Sequence, residues 1–468
     1  MSLETLSRQV EYELELLDYP RRPWLEARQT AGGGGIYDVV IVGAGQSGLT
    51  TAFGLARERV DNVLVLDENP LDHAGPWLSF ARMQTLRTPK YVTGPDLGVP
   101  SLTPRAYYEA QFGMGSWERL GLIPKQVWAD YLAWYRQVLK LPVRANTRVG
   151  PIRFDSTAGA FELPCRDTTS AAPPNSIYAR RVVLATGIDG CGEWRVPRVV
   201  HDSLPPELYA HTRAHIDFAS LAGKRVVVLG AGASAFDNAA TALEHGAREV
   251  HLLFRRDTLV NVNAYRWAEF AGFLKHCADL PDPQKWRFIL QILRMGQLPP
   301  ADTLARAKQH AQFHMHPGCM WRSLEARGGC ALIHTEARTF EADFVIVATG
   351  FVTDLKARPE LRHLEPFIAR WSDRYTPPEA DRHADLSNHP YLGSNFELTE
   401  RVPGSAPYLS QVYNYTFGSL LSLGFGGASI SGLKYSAPRL IAGITRSLFL
   451  EDSALHFERL CQFAEREF

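Results

Sequence analysis

No apolar run in this chain approaches the ~20 residues that a membrane-spanning helix requires. The N-terminus also lacks the apolar core of a signal peptide. Charge of one sign is missing too: 50 Lys and Arg stand against 50 Asp and Glu. That balance argues against a nucleic acid or an anionic membrane as the main partner. The six cysteines, at 165, 191, 277, 319, 330 and 461, are scattered, and none stands as Cys-x-x-Cys. Neither a zinc knuckle nor a redox dithiol is therefore legible. The fifteen histidines show no His-Glu-x-x-His spacing, so no metal is expected. A reduced, cytoplasmic setting is the default reading, and 468 residues predict two or three domains.

What is present is organised around residues 37–67. Val39-Val40-Ile41-Val42 is β-branched and continuous, the signature of a buried parallel strand. Gly43, Ala44, Gly45, Gln46, Ser47 and Gly48 follow as G-x-G-x-x-G. The first glycine permits the tight turn, the second lets a pyrophosphate approach, and the third lets the next helix pack on the sheet. That helix, over 49–59, aims its free N–H groups at phosphate. A second strand, 62–66, ends in Asp67, placed to accept from a ribose hydroxyl pair. Strand, loop, helix and acid together predict dinucleotide binding.

Residues 224–256 repeat the pattern. A strand at 225–229 leads into Gly230, Ala231, Gly232, Ala233, Ser234 and Ala235, with alanine in the third glycine's place. The next strand, 249–254, ends in Arg255-Arg256 rather than an acid. An acid would repel a 2′-phosphate, whereas a guanidinium binds it bidentately, so this half suits NADPH. Asp67 suits an unphosphorylated ribose. Each unit is closed by the same turn, Ala185-Thr186-Gly187 and Ala348-Thr349-Gly350.

The remaining segments frame these two. An amphipathic helix over 2–18, stopped by Pro20 and Pro23 and followed by a glycine hinge, reads as a packing arm or dimer contact. Residues 75–90 are rich in Arg, Gln and Thr. They fit either a surface loop or extended backbone donating to a flat polar ring. Residues 124–138 read as a helix, 143–149 as a short strand, and 151–184 as period-two strands. The aromatics of 265–313 suit core packing or a lid over a substrate. The glycine- and serine-rich stretch 413–432 suits close approach to a ligand, or a helix-capping turn before a helix over 438–448.

On these residues, with Gly75-Pro76-Trp77 and His211-Thr212, the chain resembles the two-dinucleotide-domain flavoproteins over about residues 37–448. Among them it is most similar to the class B flavin monooxygenases: the flavin-containing, Baeyer–Villiger and N-hydroxylating enzymes. It departs from the family linker fingerprint at Pro205, Glu207 and His215, where Phe, Gly and Tyr or Trp are usual. Met83-Gln84 resembles the Met-Gln of the N-hydroxylases, and Arg87 stands where flavin-containing monooxygenases carry Asn.

The resemblance implies an α/β fold with two Rossmann-like dinucleotide-binding domains, the second inserted in the first, and a helical insertion in the second. The expected division is an arm at 1–35, an FAD domain at 36–205 and 351–468, and an NADPH domain at 206–350 with its insertion at 263–313. FAD would lie on residues 43–48, Asp67, Trp77, Gln84, Val149 and the first Ala-Thr-Gly turn. NADPH would lie on Gly230, Gly232, Ala233, Ser234, Ala235, Arg255, Arg256 and the second turn. The implied reaction is NADPH- and O2-dependent insertion of one oxygen atom into a small organic substrate through a C4a-(hydro)peroxyflavin, with Arg87 as a cation beside the flavin. Two rivals stand beside it: a reductase of a quinone or electron-carrier protein, and a flavin-binding sensor without turnover. A homo-oligomer is compatible with the sequence.

Overall fold

The computed structural model describes residues 2–17, 22–92 and 94–468. Pro20, expected to stop the first helix, lies outside the described residues. The first sheet has a parallel core in the order Val143–Arg144, Val63–Leu66, Gly35–Val42, Asn175–Leu184, Val412–Asn414. Val39, Val40 and Ile41 are fully buried, as a strand covered on both faces requires. Ala160–Asp167 runs antiparallel to Asn175–Leu184 and carries Thr147–Val149 and Arg153–Asp155. The second sheet is wholly parallel: Tyr209–His211, Phe344–Val347, Arg225–Leu229, Glu249–Leu253, Phe313–His316. All its strands lie between Asn175–Leu184 and Val412–Asn414 in sequence, so the second unit is nested in the first. The chain's outward and return passages, Gly192–Glu193 and Val352–Thr353, pair antiparallel with each other.

The helical insertion comprises Ala264–Trp267, Ala271–His276, Asp282–Met295 and Ala301–Lys308. Phe273, Trp286 and Ile289 are buried in one cluster with Trp371, Leu421 and Phe425 from the C-terminal part of the chain. The Trp286 indole N–H donates to the Asp381 carbonyl at 2.9 Å. Of the two readings offered by these aromatics, core packing holds for Phe273 and Trp286. Trp267 and Phe270 remain 55% and 49% exposed.

The last long helix corrects the sequence reading. It spans Leu433–Glu451, so it begins before Pro438 instead of at it. Pro438 forfeits one backbone bond inside the helix. The earlier start is set by the preceding turn, which doubles back until a Cβ on Gly432 would lie 1.7 Å from the Phe425 carbonyl oxygen. The N-terminal helix, Leu3–Leu16, is a packing arm on the first unit. Leu6 and Val10 are buried, and Glu13 accepts from the Ser101 backbone N–H at 3.0 Å. No helix among the described residues is long and apolar enough to cross a membrane.

A buried ion cluster closes the first unit from behind. Arg180, 1% exposed, donates to Asp38 at 3.0 Å and to Asp452 at 2.9 Å. It thereby ties the two central strands to the residue that ends the last long helix.

Candidate functional site: two dinucleotide cradles

Both cradles sit at the C-terminal ends of parallel strands, where α/β sheets bind their ligands. In the first, Gly43 has φ 110° and a Cβ there would lie 2.5 Å from the Ala185 carbonyl oxygen. A Cβ on Gly48 would lie 1.8 Å from the Gly43 carbonyl oxygen. Gly45 differs: the nearest atom, Gly75 Cα, is 3.9 Å from a Cβ built there, so the chain leaves this space open. Helix Gln46–Arg57 follows with no side-chain cap, leaving its first N–H groups for an anion. Ser47 Oγ donates to the Gly427 carbonyl, which brings the 424–432 turn against the loop.

Asp67 is buried at the end of its strand. Its Oδ2 accepts from Ala44 N at 2.7 Å and its Oδ1 from Asn69 N at 2.9 Å. A small recess opens beside it, lined by Ala44, Asp67, Leu71, Ala133 and Arg136 among others. Thr147 N donates to the Asp67 carbonyl at 2.7 Å, and buried Val149 stands two residues beyond Thr147 on the same strand. Trp77 is buried against Trp128, ring centroids 6.3 Å apart. Its indole N–H, Gln46 Oε1 and Thr186 Oγ1 are buried without partners among the described residues. Gln84 has an exposed side chain, and its carbonyl accepts from Lys125 N at 3.0 Å. Gly187 closes the Ala-Thr-Gly turn at φ 67°.

The second cradle repeats the first atom for atom at its tightest point. Gly230 has φ 124°, and a Cβ there would lie 2.3 Å from the Ala348 carbonyl oxygen. Each Ala-Thr-Gly turn is thus the wall against which the first glycine of its own loop is folded. A Cβ on Gly232 would meet nothing within 4 Å. Ala233 and Ala235 are buried at the start of helix Ala233–Glu244, and Ser234 is exposed. Thr349 Oγ1 donates to the Arg195 carbonyl at 3.2 Å, and the Gly350 carbonyl meets His211 Nε2 at 3.1 Å. Burial lowers the His211 pKa, which favours the neutral ring.

Strand register revises one step of the sequence argument. Val42 pairs with Leu66, and Leu229 with Leu253. The position equivalent to Asp67 is therefore Phe254, which is buried, and the two arginines come one and two residues later. Both are exposed. Arg256 lies by the C-terminal carbonyls of helix Asp282–Met295, 3.3 Å from Arg294 O and 3.4 Å from Met295 O. Cations are favoured there. Arg255 has no side-chain partner among the described residues.

Arg87 stands where the two units meet. It donates to Asp237 Oδ2 at 2.7 Å, and Asp237 belongs to the helix of the second cradle. Asp237 also accepts from Thr303 Oγ1 at 3.0 Å, while Thr85 Oγ1 donates to Asp302 at 2.8 Å. The guanidinium's counter-charge is thus a buried carboxylate of the opposite unit, and its Nε is buried without a partner among the described residues. Sequence reasoning missed Asp237, which no motif marks. It also missed Asn414, whose Nδ2 is buried without a partner among the described residues. Asn414 ends the strand beside Asn175–Leu184 and so lies level with Leu184, one residue before the first Ala-Thr-Gly turn.

The chain is 44% identical over 468 residues to the FAD-dependent urate hydroxylase of Xanthomonas campestris pv. campestris, covering 100% of this chain and 98% of that protein. It belongs to the class B flavin monooxygenases. The family model described as pyridine nucleotide-disulphide oxidoreductase matches residues 37–274 of this monooxygenase. Its fold is shared with an ornithine hydroxylase from Pseudomonas aeruginosa, at TM-score 0.68 and 15% identity over 88% of this chain and 100% of that one. It is shared too with an L-lysine 6-monooxygenase from Pseudomonas syringae, at TM-score 0.65 and 19% identity over 88% and 99%.

The Xanthomonas relative is FAD-dependent, and an ornithine N-hydroxylase of the same fold holds FAD and NADP+; the residues of this chain fit a dinucleotide on each cradle. The space over Gly45 and the unpartnered Gln46, Trp77 and Thr186 atoms suit a large polar ligand on the first cradle. The space over Gly232 and the exposed arginine pair suit a phosphorylated dinucleotide on the second.

Proposed function

We propose that this monooxygenase hydroxylates urate or a closely related oxidised purine at the expense of NADPH and O2. The supporting observation is its 44% identity to the Xanthomonas urate hydroxylase over 100% of this chain and 98% of that protein. The balance is simple: NADPH supplies two electrons, one oxygen atom enters the substrate and the other leaves as water. FAD supplies the electron relay and oxygen activation, and the chain supplies positioning, charge and exclusion of water.

In this reading FAD is held by residues 43–48, Asp67, Trp77, Val149 and the turn at 185–187, with Gln84 nearby. NADPH is held by 230–235, Arg255, Arg256 and the turn at 348–350. The FAD-binding unit comprises 36–205 and 351–468, and the NADPH-binding unit comprises 206–350. Arg87 is assigned as the cation that favours developing negative charge near the reacting centre, with Asp237 fixing its orientation. Arg87→Ala is expected to lower coupled oxygen transfer about tenfold or more and to raise peroxide release. Stopped-flow and peroxide assays at saturating NADPH measure both.

The coenzyme assignment has its own test. Arg255→Ala with Arg256→Ala is expected to raise the NADPH KM about 10- to 100-fold through lost charge-assisted hydrogen bonds. The NADH KM should change far less, and steady-state assays with both coenzymes decide it. Substrate is tested by oxygen uptake and NADPH oxidation with urate, ornithine, lysine, cadaverine and a quinone, with product mass. Urate-dependent consumption of equal amounts of NADPH and O2, with one oxygen atom gained, supports the reading. Quinone-supported NADPH oxidation without oxygen insertion overturns it in favour of a reductase.

A further inference from the structure

Glu269 lies between the short helices Ala264–Trp267 and Ala271–His276 of the insertion. Its Oε1 accepts from Ser431 Oγ at 3.2 Å. Its Oε2 is buried with no partner among the described residues. A buried acceptor left unpaired is costly, so one that persists calls for a donor that completes it.

The setting connects this oxygen to the first cradle. Ser431 belongs to the turn whose Gly427 carbonyl accepts from Ser47 in the G-x-G-x-x-G loop. That turn has little room to move, since a Cβ on Gly427 would lie 2.1 Å from the Tyr415 carbonyl oxygen. Tyr265 stacks on Phe425, centroids 5.5 Å apart, and fixes the insertion to the same turn. Trp267 and Phe270, which flank Glu269 in sequence, are both half-exposed, with ring centroids 5.6 Å apart.

We propose that Glu269 is a specificity-determining residue, accepting a hydrogen bond from a ring N–H of a flat heterocyclic substrate. The inference rests on the urate reading and deepens it. An unpaired acceptor on a carboxylate fixed by Ser431 selects for N–H groups, and half-exposed aromatics next in sequence suit a flat ring. Burial raises the Glu269 pKa more than its other surroundings lower it. An electron-rich purine therefore meets a carboxyl that takes a proton more readily than an exposed glutamate does.

The test uses FAD-loaded full-length Glu269→Gln and Glu269→Asp beside the wild type. Readouts are the urate-induced change in flavin absorption, the KM and kcat for urate, FAD content and Tm. Glu269→Gln is expected to raise the urate Kd and KM about tenfold or more with kcat changed less than about threefold. Glu269→Asp recovers part of the loss, and FAD content and Tm stay at the wild-type values. A urate KM within about twofold of wild type in Glu269→Gln overturns the assignment while leaving the urate reading intact. So does a parallel fall of FAD content and Tm in both variants, which marks a merely structural residue. A wild-type enzyme whose flavin responds to primary amines but not to urate overturns the substrate reading first, and this role with it.

Discussion

Gly48→Ala is expected to yield little folded protein and no bound FAD, whereas Gly45→Ala should fold normally and remain colourless. The two glycines are three residues apart in one loop, yet they answer to different neighbours. At Gly48 the added methyl would lie 1.8 Å from the Gly43 carbonyl oxygen and 3.3 Å from Ile41 Cγ2. That backbone cannot yield without separating helix Gln46–Arg57 from its sheet, a cost of about 3 kcal/mol or more. At Gly45 the backbone has φ −70°, which alanine adopts without strain, and the methyl would stand 3.9 Å from Gly75 Cα. The apoprotein should therefore keep its stability within about 1 kcal/mol. Its FAD affinity should fall at least about 100-fold, since the methyl fills the space reserved for pyrophosphate. Thermal unfolding of the apoproteins and FAD titration separate the cases. If Gly45→Ala binds FAD as tightly as the wild type, the pyrophosphate does not cross that loop.

Arg180→Met is expected to destabilise the fold by about 3–5 kcal/mol, because it strands buried carboxylates. Asp38 and Asp452 are 5% exposed as side chains and both face the guanidinium. Burial already raises the Asp38 pKa, and Arg180 is the first group holding it down. Arg28, the other cation at Asp452, lies near the surface and does not reach Asp38 by a hydrogen bond. The contrasting control is Arg8→Ala, which breaks an exposed pair with Glu4 and should shift stability by less than about 1 kcal/mol. Urea unfolding of FAD-free protein measures both. Equal effects would mean that the buried cluster contributes no more than a surface pair.

The cradles were legible because their requirements are local. A β-branched run, three small residues and an acid lie within about one βαβ unit, so spacing alone carries the chemistry. What lay beyond reach was contact between distant segments. The repeated Ala-Thr-Gly turn was visible as a motif. That each one walls in the first glycine of its own cradle emerges only when Ala185 meets Gly43 and Ala348 meets Gly230. Arg255 and Arg256 were read as replacing the acid, but pairing of Leu229 with Leu253 gives that place to Phe254. The difference of one residue is invisible until the register is known. The insertion's aromatics favoured core over lid without excluding the lid, since burial depended on Trp371 and Phe425, far along the chain. The start of the last helix was misplaced because Pro438 is a strong local signal, and a tertiary turn at Gly432 outweighed it. Asp237 has no motif at all, and only folding brings it to Arg87.

The antiparallel pairing of Gly192–Glu193 with Val352–Thr353 has a consequence for how such proteins change over generations. Neighbouring strands stand about 4.8 Å apart, so the nested second unit begins and ends at almost one point in space. Deleting it and joining the stumps would ask for no more than a tight hairpin. An insertion or exchange of that stretch therefore leaves the strand order of the first sheet unaltered.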